Sequence, residues 1–158
     1  MIILQRATFE DCRLVYKWRN DPVNRNASFS SSPIGWEEHQ SWFTERLHLS
    51  HPESIWIGLS VLELDTPEPV GAGRILLQGE DAAVISISVS PSLRGQGIGK
   101  GIVSLLRDKV WEMGRVAIAR VKPDNEISLR LFTGLGFVPV DSSVQESTED
   151  YVTLEASP

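Results

Sequence analysis

The stretch SVSPSLRGQGIGKGIVSLL, residues 88 to 106, joins a β-branched run to an apolar helical run through glycines at 95, 97, 99 and 101, with Arg94 and Lys100 among them. A Walker A loop requires a glycine, four residues and then Gly-Lys-Ser/Thr. Here Gly99-Lys100 is followed by Gly101 and Arg94 stands where the first glycine should be, so that reading fails twice. A dinucleotide fingerprint, G-x-G-x-x-G, accepts Gly95 and Gly97 but not a third glycine at 99 or 101. What remains is an R-x-x-G-x-G loop, Arg94 to Gly99, at a strand-to-helix junction. The first N–H groups of a helix have no partner within it, and the helix dipole makes that end positive. Bare glycine backbone lets a diphosphate reach those amides, while Arg94 and Lys100 add charge. A single tight turn needs fewer glycines than alternate positions 95, 97 and 99 supply.

Outward from this junction the pattern is mixed. Before it, residues 2–7, 54–64, 69–79 and 82–90 read as strands. Thr8 and Asp11 are spaced as a capping box ahead of a helix that should stop before Asp21-Pro22. The polar segment 23–33 reads as a surface loop, and residues 35–49 as a second helix with Trp36, His39, Trp42, Phe43 and Leu47 on one face. After the junction come a helix over 97–113, a strand over 115–121, a helix from a possible Asn125 cap to Gly134, and strands in GFVPV and EDYVTLE. Strand 82–89, helix 97–113 and strand 115–121 should form a βαβ unit. These elements predict an α/β (α+β) fold, with helices on both faces of a mixed sheet.

Bulk properties narrow the partners. The chain has 158 residues, 41% hydrophobic and 23% charged, which suits a single domain over 1–158. A net charge of −6 argues against nucleic acid as a partner. The lone Cys12 fits a reducing compartment, no apolar run is long enough to span a membrane, and the start lacks a signal-peptide layout, so a soluble cytoplasmic protein is expected. His39, His48 and His51 lack the spacing of a metal site, so no metal is expected.

Residues 89–106 resemble the acetyl-CoA signature of the GNAT superfamily of N-acyltransferases. VKPDNEISLRLFTGLGF, residues 121–137, resembles its second signature. The resemblance implies a GNAT fold, with a mostly antiparallel sheet of six to seven strands and about four helices on both faces. It implies acetyl-CoA as co-substrate. Ser88 and Val89 would bond the pantetheine arm, and Arg94, Gly95, Gln96, Gly97, Ile98, Gly99 and Lys100 would surround the diphosphate. Asn125, Ser128 and Phe132 would lie along the arm. The family's frequent general acid is a Tyr seven residues after that Asn. Phe132 occupies the position here, so either the thiolate departs without an acid or another donor such as Ser128 or a water serves. Strand 82–89 carries Ser86 and Ser88 rather than a carboxylate, which leaves Glu38, His39 and Tyr16 as candidate bases.

Pieces of the N-terminal third, WRND (18–21), SF (28–29) and EEHQSWF (37–43), resemble bacterial N-acetyltransferases of UDP-linked 4-amino sugars in pseudaminic-acid-type pathways. The segment is also similar in outline to acetylases of ribosomal-protein N-termini. The first resemblance makes Trp18, Arg19, Asn20, Arg25, Phe29 and His39 candidates for holding the acceptor. Arginines would pair with phosphate and aromatics would stack on rings. The expected function is acetyl transfer to a primary amine of a small molecule, a nucleotide sugar by preference, by a monomer or homodimer without membrane attachment. A protein N-terminus as acceptor, or a non-catalytic acyl-CoA-binding module, are the alternatives.

Overall fold

The β-branched run becomes strand β4 (Ala82–Val89), and the rest of the sheet builds out from it. The computed structural model describes residues 1–50, 53–61, 66–140 and 151–158. β1 (Ile2–Arg6), β2 (Ile55–Ser60) and β3 (Glu68–Gln78) lie on one side of β4. β5 (Val116–Val121), β7 (Val152–Ala156) and β6 (Val138–Pro139) lie on the other, giving seven strands among the described residues in the order β1-β2-β3-β4-β5-β7-β6. Every neighbouring pair is antiparallel except β4 with β5. That parallel pair needs a crossover, and helix α4 (Ile98–Glu112) supplies it, as expected of a βαβ unit. Strand segments placed by sequence at 62–64 and at 149–150 fall outside the described residues.

The parallel pairing is short. It covers Ala82↔Val116, Ala83↔Ala117 and Val84↔Ile118. Beyond it β4 stays with β3 as far as Val89↔Gly71, while β5 follows β7 to Val121↔Val152. Among the described residues, 85–89 therefore keep one edge with no strand beside it, and β4 and β5 part toward the glycine segment.

Both faces are covered. Ile102, Val103, Leu106 and Val110 of α4 are fully buried against Trp56, Ile75 and Ile85, together with Phe132 and Phe137. Each such side chain contributes about 1.5–3 kcal/mol of transfer free energy. The strands beneath α4 are stripped of side chains. A Cβ at Gly58 or Gly71 would come within 2.8 or 2.7 Å of Ile102 Cδ1, and one at Gly73 within 2.5 Å of Leu106 Cδ1. The opposite face carries α1 (Cys12–Asn20) and α3 (Trp36–Leu47), which bury Val15, Trp18 and Phe43 on Ile55, Ile57 and Ala72. The Thr8–Asp11 capping box forms, with the Thr8 N–H donating to Asp11 Oδ2 at 2.8 Å, and opens a short 3₁₀ turn that leads into α1.

One sequence expectation is corrected. The first part of the segment 23–33 is not loop: residues Pro22–Ala27 form a helix, α2. Asp21 accepts from the Val23 and Asn24 amides at 3.1 and 3.2 Å, and Pro22 takes the first helical position, where its missing N–H costs nothing. The Asp-Pro pair that ends α1 thus starts α2. Helix α5 (Glu126–Thr133) follows Asn125, whose Oδ1 accepts from the Ser128 N–H at 3.2 Å. No helix of the described residues is long and apolar enough to cross a membrane.

Candidate active site

The glycine segment divides its work. Gly95 and Gly97 adopt left-handed φ values of 77° and 78°, and a Cβ at either would meet nothing within 4 Å, so the space beside them is open. Gly97 precedes α4 with no side-chain cap, and the first amide to turn inward is that of Gly101, bonded to Gly97 O at 3.1 Å. The amides of residues 98–100 therefore face out of the helix end. Gly99 serves packing instead, since a Cβ there would sit 3.0 Å from Leu131 Cδ1 of α5. Ile98 is buried beneath the loop; Gln96 and Lys100 are exposed beside it. Uncapped amides flanked by open space fit a diphosphate.

Arg94 is committed elsewhere. Its guanidinium pairs with the carboxylate of Asp21, the same group that caps α2. Burial pushes the Asp21 carboxyl up, but the hydrogen bond and charge of Arg94 and the α2 amides outweigh it, and the group ends below its ordinary value. Helix α2 is tied across the parted strands at two further points. Asn24 Nδ2 donates to Val89 O at 3.3 Å and Trp18 O at 2.7 Å, and Lys122 Nζ donates to Asn26 O at 2.8 Å. The Val89 carbonyl thus already has a protein donor. Ser88 lies half-buried in register with Ala72, on the face of α1 and α3.

Asn125 holds the α5 cap described above, and Ser128 lies half-buried one turn in. Phe132 is buried edge-on against Phe137, with ring centroids 5.1 Å apart. It offers no proton.

On the α1/α3 face the expected acceptor residues take different parts. His39 is fully buried and both ring nitrogens are engaged: Nε2 with Cys12 O at 2.8 Å, Nδ1 with Arg19 at 3.0 Å. Arginine can only donate, which fixes the neutral tautomer with its proton on Nε2. Burial lowers the His39 pKa and the Arg19 charge adds to this, against the opposing pull of the Cys12 carbonyl. No lone pair is left to take a proton, so the ring orients Arg19. Glu38 is exposed. Tyr16 packs against Trp36 and His39, with centroids at 5.1 and 5.2 Å.

Trp18 belongs to the core. Asn20 clamps Ile34 through both backbone groups at 2.8 Å, and Arg25 spends its guanidinium on Asn20 O at 3.1 Å and Ser31 O at 3.2 Å. These two side chains brace the 28–35 segment. Phe29 is exposed and rests on Tyr151, centroids 5.3 Å apart. Arg19 lies over the Trp42 ring at 4.0 Å. Two residues beside it carried no local signal in the sequence: Arg74 on β3, which donates to Ser86 Oγ at 3.2 Å, and Arg46 on α3. Asp21 was likewise readable only as a helix boundary.

Comparison with known proteins agrees with this architecture. The model of the acetyltransferase (GNAT) family matches residues 14–137. An uncharacterized protein of Methanocaldococcus jannaschii is 32% identical over 139 residues, which are 86% of this chain but 28% of that protein's length. The crystal structure of a domain from the same organism superposes with a TM-score of 0.82 at 28% identity, covering 100% of this chain and 99% of that one. Spermidine N-acetyltransferase of Vibrio cholerae, solved with CoA and spermine, superposes with a TM-score of 0.78 over 98% of this chain and 92% of its own, at 15% identity, a likeness of fold alone. Enzymes of the matched family draw their acyl group from acetyl-CoA. With uncapped amides at the start of α4 and a strand-free edge of β4 leading to them, the chain belongs to the GNAT family of acetyltransferases.

Proposed function

We propose that the chain, working as one unit over residues 1–158, moves an acetyl group from acetyl-CoA to the primary amine of a nucleotide-linked amino sugar by direct attack in a ternary complex. One observation carries the donor side. Beyond Val84 the edge of β4 has no strand beside it among the described residues, and it leads through the glycine segment to the uncapped amides of α4. A pantetheine arm has amide groups that can complete a strand edge, as an added strand would. In this reading Ser88 and Val89 hold the arm, the main-chain amides of residues 94–100 hold the diphosphate while the Arg94 side chain stays on Asp21, and Asn125, Ser128 and Phe132 flank it.

Acetyl-CoA supplies an activated thioester; the chain's task is orientation and charge. Amides along the free edge of β4 can stabilise a developing oxyanion. Ser128 stands one helical turn before Phe132 on α5 and would donate the proton, since the adjacent hydroxyl, that of Thr133, is spent on the carbonyls of Leu129 and Arg130. No carboxylate stands on β4, so the acceptor amine has to arrive neutral or lose its proton through solvent, with Glu38 at the exposed rim.

Thiol release from acetyl-CoA tests this directly. A UDP-linked 4-amino sugar should outpace both spermidine and a basic peptide with a free N-terminal alanine. Preference for the peptide would move the acceptor to protein N-termini. Acetyl-CoA binding without thiol release from any amine would make the chain a binding module.

A further inference from the structure

Arg19 of α1 and Arg74 of β3 lie over one tryptophan of α3, and Arg46 of the same helix is close enough for its charge to act on Arg74. The guanidinium carbons of Arg19 and Arg74 lie 4.0 and 5.7 Å from the centroid of Trp42. Arg46 is one helical turn beyond Trp42, and its Nε is buried with no hydrogen-bond partner. Arg19 is braced by neutral His39 and Arg74 by the Ser86 hydroxyl, neither of which brings a negative charge. Arg94, Arg107 and Arg130 each have an Asp or Glu partner, but among the described residues no carboxylate pairs with these three. Burial lowers the pKa of Arg19 and of Arg74; the charge of Arg74 lowers Arg19 further, and that of Arg46 lowers Arg74, while exposed Glu38 pulls Arg19 the other way. Arginines so lowered are still cations at neutral pH. The chain as a whole carries a net charge of −6, so this concentration of positive charge is local.

Like charges gathered at a half-buried site cost free energy unless a negative group joins them. The register says where that group would sit. Arg74 is opposite Ser86, and Ser88, two residues on, is opposite Ala72, all on the α1/α3 face. Two residues of strand span about 7 Å.

We propose that Arg19, Arg46 and Arg74 form an oxyanion subsite for the acceptor, which carries a carboxylate or phosphate about one strand dipeptide (~7 Å) from the amine to be acetylated. This rests on the acetyl-transfer reading for the word acceptor; the anion site itself does not. Guanidinium forks recognise carboxylate and phosphate alike, since both present paired oxygens. The same cluster repels polyamines, so a fold shared with a spermidine N-acetyltransferase here serves acceptors of the opposite charge. Trp42 acts as a platform for the arginines and leaves its ring unavailable for stacking on the acceptor.

The full chain, saturated with coenzyme A to occupy the glycine loop, is titrated by calorimetry with UDP, with succinate and with spermine. UDP or succinate should bind and spermine should not. The tighter of the two anions tells phosphate from carboxylate. Arg74→Gln and Arg46→Gln should each weaken that anion about 10- to 100-fold, the loss of one charged hydrogen bond, with coenzyme A affinity unchanged. Arg74→Lys should recover part of the loss. The proposal is overturned if the coenzyme-loaded chain binds neither anion, if spermine binds as well as they do, or if both glutamine variants bind the anion like the wild type. Should Arg74→Gln disturb coenzyme binding, Arg46→Gln decides. Anion binding without thiol release for any amine would sink the transferase reading and leave the subsite standing.

Discussion

Asp21 concentrates several contacts on one carboxylate, and two substitutions separate them. Its Oδ2 accepts from the Val23 and Asn24 amides at 3.1 and 3.2 Å and from Arg94. Asn caps a helix about as well as Asp, so Asp21→Asn keeps the cap and removes the ion pair; Asp21→Ala removes both. The pair is partly exposed, with side-chain accessibilities of 31% for Arg94 and 17% for Asp21, between the regime of surface pairs and that of buried ones. A charged hydrogen bond contributes about 1.5–3 kcal/mol when shielded, and exposed pairs give less than about 1. Asp21→Asn should therefore cost about 1–2 kcal/mol, and Asp21→Ala about 1 kcal/mol more for the cap. In a chain of 158 residues the first corresponds to a fall in Tm of about 2–8 °C. Urea titrations at constant m-value measure both, and an Arg94→Gln double-mutant cycle isolates the pair. The pH sign is set by a lowered carboxyl: the pair's contribution is whole above the ordinary Asp value near 3.9 and is lost as pH falls toward the folded value. Asp21→Asn should remove that part of the acid loss. A coupling energy below about 0.5 kcal/mol, or equal costs for the Asn and Ala variants, would refute the assignment of both roles to this one side chain.

Three other outcomes follow from the same structure. Gly97→Ala forces a side chain into φ 78° and places a methyl over the open amides; it should cost about 1–2 kcal/mol and weaken acetyl-CoA binding, and unchanged affinity by calorimetry would place the diphosphate elsewhere. Gly73→Ala and Gly71→Ala should each cost about 1–3 kcal/mol by overpacking under α4. Leu106→Val should relieve the first, whose obstacle at 2.5 Å is a side chain, whereas Ile102→Val should not restore the second, whose Cβ also meets Ser88 O at 2.8 Å; full rescue of Gly71→Ala would contradict that geometry. Burial holds His39 below its ordinary value near 6.5, so its contribution to stability is complete above that pH and declines as pH drops beneath it. Wild type should lose more stability than His39→Gln between pH 7.5 and pH 5, and equal losses in denaturant titrations would rule the effect out.

The glycine segment and the strand and helix periods made most of the fold legible, because a βαβ crossover leaves its signature in contiguous sequence. Helix α2 was hidden by its polarity: with no buried residue it lacks an apolar stripe, and only the Asp21-Pro22 start signal betrays it. The early parting of β4 and β5 was equally invisible as geometry, since it depends on β5 following β7. His39 was readable as a residue on an aromatic face but not as the brace of Arg19, because its partners lie on another helix. Arg94 read as a free cation beside the loop; its partner Asp21 is 73 residues away. Arg46 and Arg74 stand in ordinary helix and strand contexts, and nothing local marks charges that converge only when α3 covers β3.

The outer boundary of the sheet on the β6 side has a consequence for how copies of this chain coexist. Val140 N–H turns inward to Thr153 O at 3.0 Å, so by strand alternation the intervening Pro139 presents its nitrogen to the outside, where it has no hydrogen to give. A visiting strand would find a two-residue ledge with a missing rung. Among the described residues, that side of the sheet is self-terminating, protected from templated growth into larger β-assemblies at high protein concentration.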